Sequence, residues 1–289
     1  MNSPTDLRHL ALVLLALWCA GCLLLAALTL FPKTRQQVKG LWPLMISEAA
    51  ILAAGTLLWF LPRGLLGIAL LLAGLRIGFE SGAVNGGGTS RGAGLLGAVA
   101  LGAATAMVWL VGPPTAMQSA LPWLALAAVP IAPFVARTAG ASWLHRFSLF
   151  PALPFVLFAL AALWFDVAVV FLLSLLTVEV FDSFAVLGGR LFGRHLMVPK
   201  LSPRKTWEGF AVGLAAAMLA GGGLSLIIAM PTATVIAIAS ASTVAAVVGD
   251  LTASAAKRRA GVKDYPAVLT IQGGLLDIYD AWMVAAPVA

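Results

Sequence analysis

Charged residues are scarce in this sequence of 289 residues: only 10% are Asp, Glu, Lys or Arg, whereas 61% are hydrophobic. No polar stretch is long enough to form a separate soluble domain. Apolar runs of about 20 residues recur along the chain instead, and a helix of that length crosses a hydrocarbon core of about 30 Å. The composition therefore predicts an all-α, polytopic integral membrane protein of about nine to ten transmembrane helices.

Cysteine is also rare, since Cys19 and Cys22 are the only two, which excludes a disulfide framework. Their CxxC spacing occurs in redox and metal sites, but inside an apolar run we favour small packing residues. The same run lacks a strongly basic leader and is too long and Leu-rich for a typical cleaved signal peptide. It is therefore predicted to be a helix.

Ten apolar runs are predicted to be helical, and prolines interrupt the fifth and sixth. They span residues 10–31, 41–61, 64–80, 93–112, 119–136, 147–165, 167–188, 210–229, 232–249 and 275–289. The last run is short for a membrane span. Between the third and fourth runs, the glycine-rich residues 80–92 lack the ordered spacing of a phosphate-binding loop, so a flexible connector is expected.

The basic residues divide unequally between the two sides of this predicted bundle. If residues 32–40 are cytoplasmic, one side receives 15 of the 18 Lys and Arg, and the other receives only Arg8 and Arg63. This positive-inside pattern predicts an external N-terminus and cytoplasmic basic loops. It also accounts for the net charge of +7 without a nucleic-acid partner.

Charge concentrates between Asp250 and Asp280. This stretch holds four basic and four acidic residues: Lys257, Arg258, Arg259, Lys263, Asp250, Asp264, Asp277 and Asp280. Such groups are costly in hydrocarbon, so we expect them at the water boundary with counter-charges, a metal or phosphate. Basic side chains bind phosphates, and carboxylates hold Mg²⁺ together with substrate phosphates.

Two upstream segments carry further polar candidates. Glu179 and Asp182 are spaced to share one helix face, and acids inside a membrane helix are functional candidates. A purely structural alternative is that these two acids pair with Arg190 or Arg194 at the helix end. Residues 200–209 (KLSPRKTWEG) combine bases with two hydroxyls, Ser202 and Thr206. This segment fits either an anion site or a basic loop whose Thr206 starts the next helix.

Together these motifs resemble the phosphatidate cytidylyltransferase (CDP-diacylglycerol synthase) family. The last 110 residues or so carry the resemblance, in three blocks that agree in order and spacing. The matching residues are Asp182-Ser183 and Phe192-Gly193; Ser202-Pro203, Lys205-Thr206 and Gly209; and Gly249-Asp250-Leu251-Thr252, Ser254, Lys257-Arg258, Lys263-Asp264, Gly273-Gly274, Asp277 and Asp280.

The resemblance implies cytidylyl transfer from CTP to phosphatidate or a related lipid phosphate, with Mg²⁺ and room for a second cation. It implies one membrane domain, 1–289, with N-terminal helices in 1–165 and the catalytic helices and cytoplasmic loops in 166–289. A bacterial inner-membrane location is expected, and a homodimer is compatible with the sequence.

The resemblance also implies roles for individual residues. The catalytic set is Asp250, Lys257, Arg258, Lys263, Asp264 and Asp277; the substrate-binding set is Ser202, Lys205, Thr206, Ser254, Gly273 and Gly274; and the metal set is Asp182, Asp250, Asp277 and Asp280. The two glycines are expected to let the backbone approach the nucleotide closely.

Four positions depart from the family pattern. Gln272 replaces His, Ile278 replaces Arg, Ala253 replaces an acid, and Pro266 replaces a small residue. Loss of the Arg removes a forked phosphate donor. Three alternatives stay open. Gln272 and Ile278 motivate the first, cytidylyl transfer to a different lipid phosphate or a CTP-dependent lipid kinase. The second is a non-catalytic lipid-binding protein, and the third is a transporter, suggested by charged residues and prolines within the apolar runs. The sequence shows no internal repeat, which disfavours the transporter.

Overall fold

The structure is a computed structural model that describes residues 4–30, 42–86, 90–112, 143–228, 230–268 and 273–288. Its α-helices are α1 (Pro4–Thr29), α2 (Trp42–Leu57), α3 (Arg63–Asn85), α4 (Arg91–Val111), α5 (Trp143–Phe147), α6 (Leu153–Trp164), α7 (Ala168–Phe192), α8 (Trp207–Leu224), α9 (Thr232–Arg259) and α10 (Leu275–Ala285). Two short strands, β1 (Leu196–Val198) and β2 (Ser202–Thr206), pair antiparallel between α7 and α8.

The predicted class, an all-α polytopic membrane protein, is confirmed. Within the described ranges, five helices are long and apolar enough to cross a membrane, namely α3, α4, α7, α8 and α9. The strands form a small hairpin that the sequence did not predict. The fifth predicted run, 119–136, lies outside the described residues, and the total of nine to ten spans stays a prediction.

Two helices extend beyond their predicted ends. The connector predicted at 80–92 is wrong for its first part, because α3 continues as a helix to Asn85. Glu80 and Ser81 are buried there, so tertiary contacts hold this polar, glycine-containing end in the helix. The ninth run, predicted to end at 249, continues in α9 to Arg259. Three basic residues occupy its last turn, where cations favour the helix C-terminus.

Small residues bring α3 and α4 into close contact. A Cβ atom added at Gly78 would lie 2.3 Å from the Gly97 carbonyl oxygen, and one at Gly82 would lie 2.3 Å from the Ala93 carbonyl oxygen. Glycine allows such close backbone approach in membrane helices. Helices α7 and α8 meet in the same way, because a Cβ at Gly209 would lie 2.6 Å from the Ala185 carbonyl oxygen.

The short helix α10 packs inside the bundle against α3, α6, α7 and α9. Its Trp282 lies within an aromatic cluster, with ring centroids 5.0 Å from Phe158 and 6.5 Å from Phe171. Leu276 and Met283 are also buried. This packing fixes the apolar side of α10 and leaves its acidic side for the site described below.

Several basic segments meet at one end of the bundle. Arg76 near the end of α3 donates to the Pro266 carbonyl oxygen after α9, at 2.6 Å. Lys205 on β2 forms an ion pair with Asp250 on α9. Trp143 at the start of α5 donates to the Gly82 carbonyl oxygen at 3.4 Å. These contacts join the end of α3, the start of α5, the hairpin and the segment after α9, while the predicted orientation of the helices in a membrane stays a prediction.

Candidate active site

An open cavity of about 530 Å³ lies between α7, α9, α10 and the hairpin strand β2. Its polar lining consists of Glu179, Asp182, Ser183, Lys205, Asp250, Asp277 and Asp280. The four aspartates of the predicted metal set therefore face one space, although they come from three different helices. Glu179 and Asp182 share the face of α7 that their spacing predicted.

Lys205 and Asp250 form an ion pair across the cavity wall. Each of these side chains is 31% exposed, so water reaches the pair. Ser254, one turn further along α9, lies with its hydroxyl oxygen 3.4 Å from the other carboxylate oxygen of Asp250. Strand β2 thus places Lys205 next to Asp250, and the Ser254 hydroxyl lies beside the same carboxylate.

Asp277 is more enclosed and has more partners. Its Oδ1 accepts from Lys257 Nζ at 2.5 Å, and its Oδ2 accepts from the Tyr265 and Gly274 backbone N–H groups at 2.8 and 3.0 Å. The side chains of Lys257 and Asp277 are 12% and 8% exposed. Asp277 therefore both pairs with Lys257 at the edge of the α10 start and caps the N-terminus of α10.

The aspartates of the cavity suit a hard cation that is also bound by phosphate oxygens. Carboxylate oxygens favour Mg²⁺, which is usually held by one or two carboxylates together with phosphate oxygens and water. Among the described residues, no three His, Cys, Asp or Glu side chains already converge as a metal cage. The four aspartates thus fit a cation that substrate phosphates help to bind, rather than a closed protein site.

A second cavity of about 230 Å³ adjoins the first and shares Asp182 and Lys205 with it. Ser202, Arg204 and Thr206 line its polar side, and Phe181, Met197, Phe210 and Val247 line its apolar side. Thr206 Oγ1 accepts from the Gly209 backbone N–H at 3.1 Å, so it caps α8. The helix-start interpretation of Thr206 is confirmed, while its predicted contact with substrate stays a prediction.

Glu208 fixes the hairpin to the start of α8. Its carboxylate accepts from the backbone N–H groups of Arg194 and His195 at 3.1 and 3.2 Å. It also lies 2.5 Å from His195 Nδ1. These contacts hold β1 and β2, and with them Lys205, in place beside the cavity.

Four predicted catalytic residues line neither cavity, and one of them, Lys257, is paired with the cavity residue Asp277. Arg258, Lys263 and Asp264 are exposed at the end of α9 and in the segment after it. Arg258 Nη1 donates to the Val262 carbonyl oxygen at 3.3 Å. Their catalytic roles stay predictions. Of the two most important departures from the family pattern, Ile278 lines the larger cavity and Gln272 lies outside the described residues.

Gly273 and Gly274 lie against carboxylates of the protein itself. Gly273 has φ of +87°, and a Cβ there would lie 2.5 Å from Asp277 Oδ2. A Cβ at Gly274 would lie 2.6 Å from Glu80 Oε2. The glycines therefore permit a close approach to Asp277 and Glu80, and their predicted contact with a nucleotide stays a prediction.

Sequence reasoning missed Glu80, whose side chain is fully buried beneath the site. It forms an ion pair with Arg76 at 2.6 Å and accepts from the backbone of α10. The spacing of Arg76 and Glu80 inside an apolar run was a usable signal for an intramembrane ion pair. The contact of Glu80 with α10 joins residues that are 195 positions apart, and no pattern in the sequence indicated it.

Tyr265 is a second buried group that the sequence did not single out. Its hydroxyl has no hydrogen-bond partner in the described part of the chain. Burial raises the pKa of Tyr265 well above its usual range, and the nearby carboxylates of Asp280, Asp277 and Glu80 raise it further. The phenol therefore stays protonated and carries no charge beneath the acidic cavity.

Known proteins match part of this chain. It is 37% identical over 128 residues to a chloroplast protein of Arabidopsis thaliana named phosphatidate cytidylyltransferase 5, a match that covers 44% of this chain and 32% of that protein. It is 38% identical over 112 residues to the phosphatidate cytidylyltransferase of Haemophilus influenzae, covering 37% and 39%. The Staphylococcus saprophyticus protein of that name is 34% identical over 118 residues, covering 40% and 45%.

Each of these matches spans less than half the length of the relative. A family match extends further along this chain, because the model of the cytidylyltransferase family covers residues 44–289. That region contains every residue that lines the two acidic cavities. The resemblance stated from the sequence motifs is thereby confirmed, and the chain belongs to the cytidylyltransferase family.

Proposed function

We propose that this chain transfers the cytidylyl group of CTP to phosphatidate, giving CDP-diacylglycerol and pyrophosphate. The observation that carries the proposal is the cavity in which four aspartates and Lys205 face one another at the basic end of a membrane bundle. The curated relatives named above carry the name of this activity. The proposal therefore rests on the geometry of the cavity and on the named activity of the relatives.

This reaction requires the two substrates to be positioned, and it does not require a nucleophilic side chain. A phosphate oxygen of phosphatidate attacks the α-phosphorus of CTP and forms a P–O bond. The bond from the α-phosphorus to the oxygen that bridges to the β-phosphorus breaks, and pyrophosphate leaves with that electron pair. Because the lipid phosphate is already an anion, no Ser or Cys side chain has to be activated. The protein must align two polyanions and offset their repulsion.

Lys205 and Lys257 are the cations placed to do this. Each is paired with a cavity aspartate, Lys205 with Asp250 and Lys257 with Asp277. On substrate binding, the lysines would contact phosphate oxygens, and the two aspartates, with Asp182 and Asp280, would hold Mg²⁺. Mg²⁺ supplies charge neutralisation and alignment of the phosphates at such a site.

The two adjoining cavities suit the two substrates. The larger cavity is rich in carboxylates and fits a triphosphate with its cation. The smaller one combines Ser202 and Lys205 with the apolar side chains of Phe181 and Phe210, which fits a lipid phosphate. Since Lys205 lines both, it lies where the two phosphates would meet.

We also propose that this end of the bundle faces the cytoplasm of a bacterial inner membrane. The distribution of Lys and Arg supports the orientation. The bacterial relatives and the five apolar spans support a multi-pass location in a cell membrane. In that orientation, CTP reaches the cavity directly from its cellular pool.

One observation favours a second candidate, cytidylyl transfer to a different lipid phosphate. Ile278 lines the larger cavity at the position where the family pattern has Arg. The acceptor phosphate must reach the α-phosphorus of CTP inside this larger cavity. An apolar side chain there cannot donate to that phosphate, which favours an acceptor headgroup other than that of phosphatidate.

The test uses purified protein in mixed micelles with phosphatidate, Mg²⁺ and CTP labelled in the cytosine ring. We expect label in the lipid phase, and we expect Asp277→Ala to reduce it at least about 100-fold, since Lys257 and the α10 cap both lose their partner. Asp166→Asn, an exposed acid outside the site, is the matched control and should keep wild-type incorporation.

Other outcomes discriminate among the alternatives. Wild-type protein that binds CTP but labels only another phospholipid would favour the second candidate. Folded protein that neither binds CTP nor labels any lipid would contradict both and favour a non-catalytic protein.

A further inference from the structure

Glu80 is a fully buried acid that the proposed reaction does not use. Its Oε1 accepts from the Leu275 backbone N–H at 2.8 Å, and its Oε2 accepts from the Leu276 backbone N–H at 2.7 Å. These are the first two residues of α10, whose N–H groups have no partner within the helix itself. A side chain of α3 therefore completes the N-terminus of another helix.

Arg76 holds this carboxylate in place. Its Nε donates to Glu80 Oε1 at 2.6 Å, one helical turn away along α3. Its Nη2 donates to the carbonyl oxygens of Pro266 and Ala267 at 2.6 and 3.3 Å. One guanidinium thus ties Glu80 to the segment that connects α9 to α10.

Glu80 and Asp277 together accept hydrogen bonds from the backbone N–H groups at the start of α10. Asp277 accepts from the Gly274 N–H, and Glu80 accepts from the next two N–H groups along the chain. Two carboxylates therefore already occupy the anion-binding N-terminus of α10, so a substrate phosphate has no place there. The first turn of the helix is fixed from both the α3 side and the α9 side.

That turn carries the acids of the cavity. Asp277 and Asp280 lie in the first two turns of α10 and line the cavity, and Leu276 in the same first turn is fully buried in the core. A small shift or rotation of the helix start would move both acids together. Displacement of catalytic groups by about 1 Å can reduce a rate about 100-fold.

We propose that Arg76 and Glu80 are positioning residues: they fix the first turn of α10 and thereby hold Asp277 and Asp280 in register with Asp182 and Asp250. This inference rests on the proposed function, because it assigns the pair a part in that reaction. The two residues act from helix α3, which precedes the C-terminal motifs of the sequence resemblance and lies within the region that the family model matches.

The variant Glu80→Gln tests this role. The amide keeps the shape of the side chain, but its NH₂ group faces a backbone N–H that needs an acceptor. We expect kcat per folded molecule to fall about 10- to 100-fold, with KM for phosphatidate unchanged within about twofold. A merely structural role would lower the folded yield and leave kcat per folded molecule at the wild-type level.

Amide hydrogen exchange gives a readout that needs no activity. In Glu80→Gln, the peptide covering residues 274–277 should exchange at least about tenfold faster than in the wild type, because one of its N–H groups loses its acceptor and the neutral amide oxygen holds the other less strongly than a carboxylate. Peptides from α8 should be unchanged. Should Glu80→Gln fail to fold, Arg76→Lys tests the same clamp, since lysine keeps the charge and loses the forked contacts.

The failures of the two proposals are distinguishable. Wild-type protein without transferase activity overturns the proposed function. Active wild-type protein together with a Glu80→Gln variant of wild-type kcat and wild-type exchange at 274–277 overturns the positioning role.

Discussion

Gly274 lies between groups from distant parts of the chain. A Cβ atom at this position would lie 2.6 Å from Glu80 Oε2 and 2.8 Å from the Tyr265 Cβ. The backbone N–H of Gly274 also donates to Asp277. Any side chain here would therefore push on the clamp formed by Arg76 and Glu80 and on the Asp277 cap at the same time.

We expect Gly274→Ala to destabilise the protein by about 1 to 3 kcal/mol, the usual cost of overpacking a buried position. Thermal unfolding in detergent, followed by intrinsic fluorescence, measures this as a lower apparent Tm. Gly222→Ala in α8 is the matched control, since nothing lies within 4 Å of an added Cβ there. Equal melting temperatures for the two variants would contradict the close contact at Gly274.

The acidic residues of the site could be predicted from the sequence, whereas the residues that hold them in position could not. Asp182, Asp250, Asp277 and Asp280 line one cavity, as the resemblance implied. The predicted role of a residue such as Asp277 was incomplete, because spacing cannot show that its oxygens accept from Tyr265 and Gly274. Glu80 was missed because its function depends on a contact formed only when α3 and α10 pack together.

Strand β2 and helix α8 form the element that brings Lys205 to the cavity. Lys205 directly precedes Thr206, which caps α8 through the Gly209 N–H. Glu208 then fixes the hairpin through the backbone of Arg194 and His195. The start of α8 and the position of Lys205 are consequently set by one short polar segment.

Thr206→Val tests this element. Valine keeps the shape but removes the hydroxyl acceptor, so we expect a loss of about 1 kcal/mol and a lower apparent Tm. Thr206→Ser retains the acceptor and should melt close to the wild type. A Thr206→Val variant as stable as Thr206→Ser would show that the cap contributes nothing.

Helix ends were the least predictable feature at this scale. The apolar runs located α3 and α9, but both helices continue through residues that composition assigned to a connector or a basic segment. Burial decides the first case, because Glu80 and Ser81 pack inside the bundle. In the second, the basic last turn is compatible with the helix dipole at its C-terminus.

The distribution of Lys and Arg along the whole molecule bears on which side of a membrane the candidate site faces. Counting Lys and Arg predicted that the basic segments share one side, because crossing a membrane reverses the direction of the chain each time. The contact of Lys205 with Asp250 joins two elements that carry such segments, the hairpin and α9, and the shared side of all the segments stays a prediction. The sequence could not supply the arrangement of the helices around α10, which depends on non-local packing.

We propose that the cytidylyl group of CTP, and not its terminal phosphate, moves to the lipid. Parallel reactions with phosphatidate and CTP labelled with ³²P at the α-phosphorus or at the γ-phosphorus test this most directly. We expect α-label in the lipid and γ-label in water as pyrophosphate. Lipid that carries the γ-label while the α-label stays in water would contradict this proposal and identify a CTP-dependent lipid kinase.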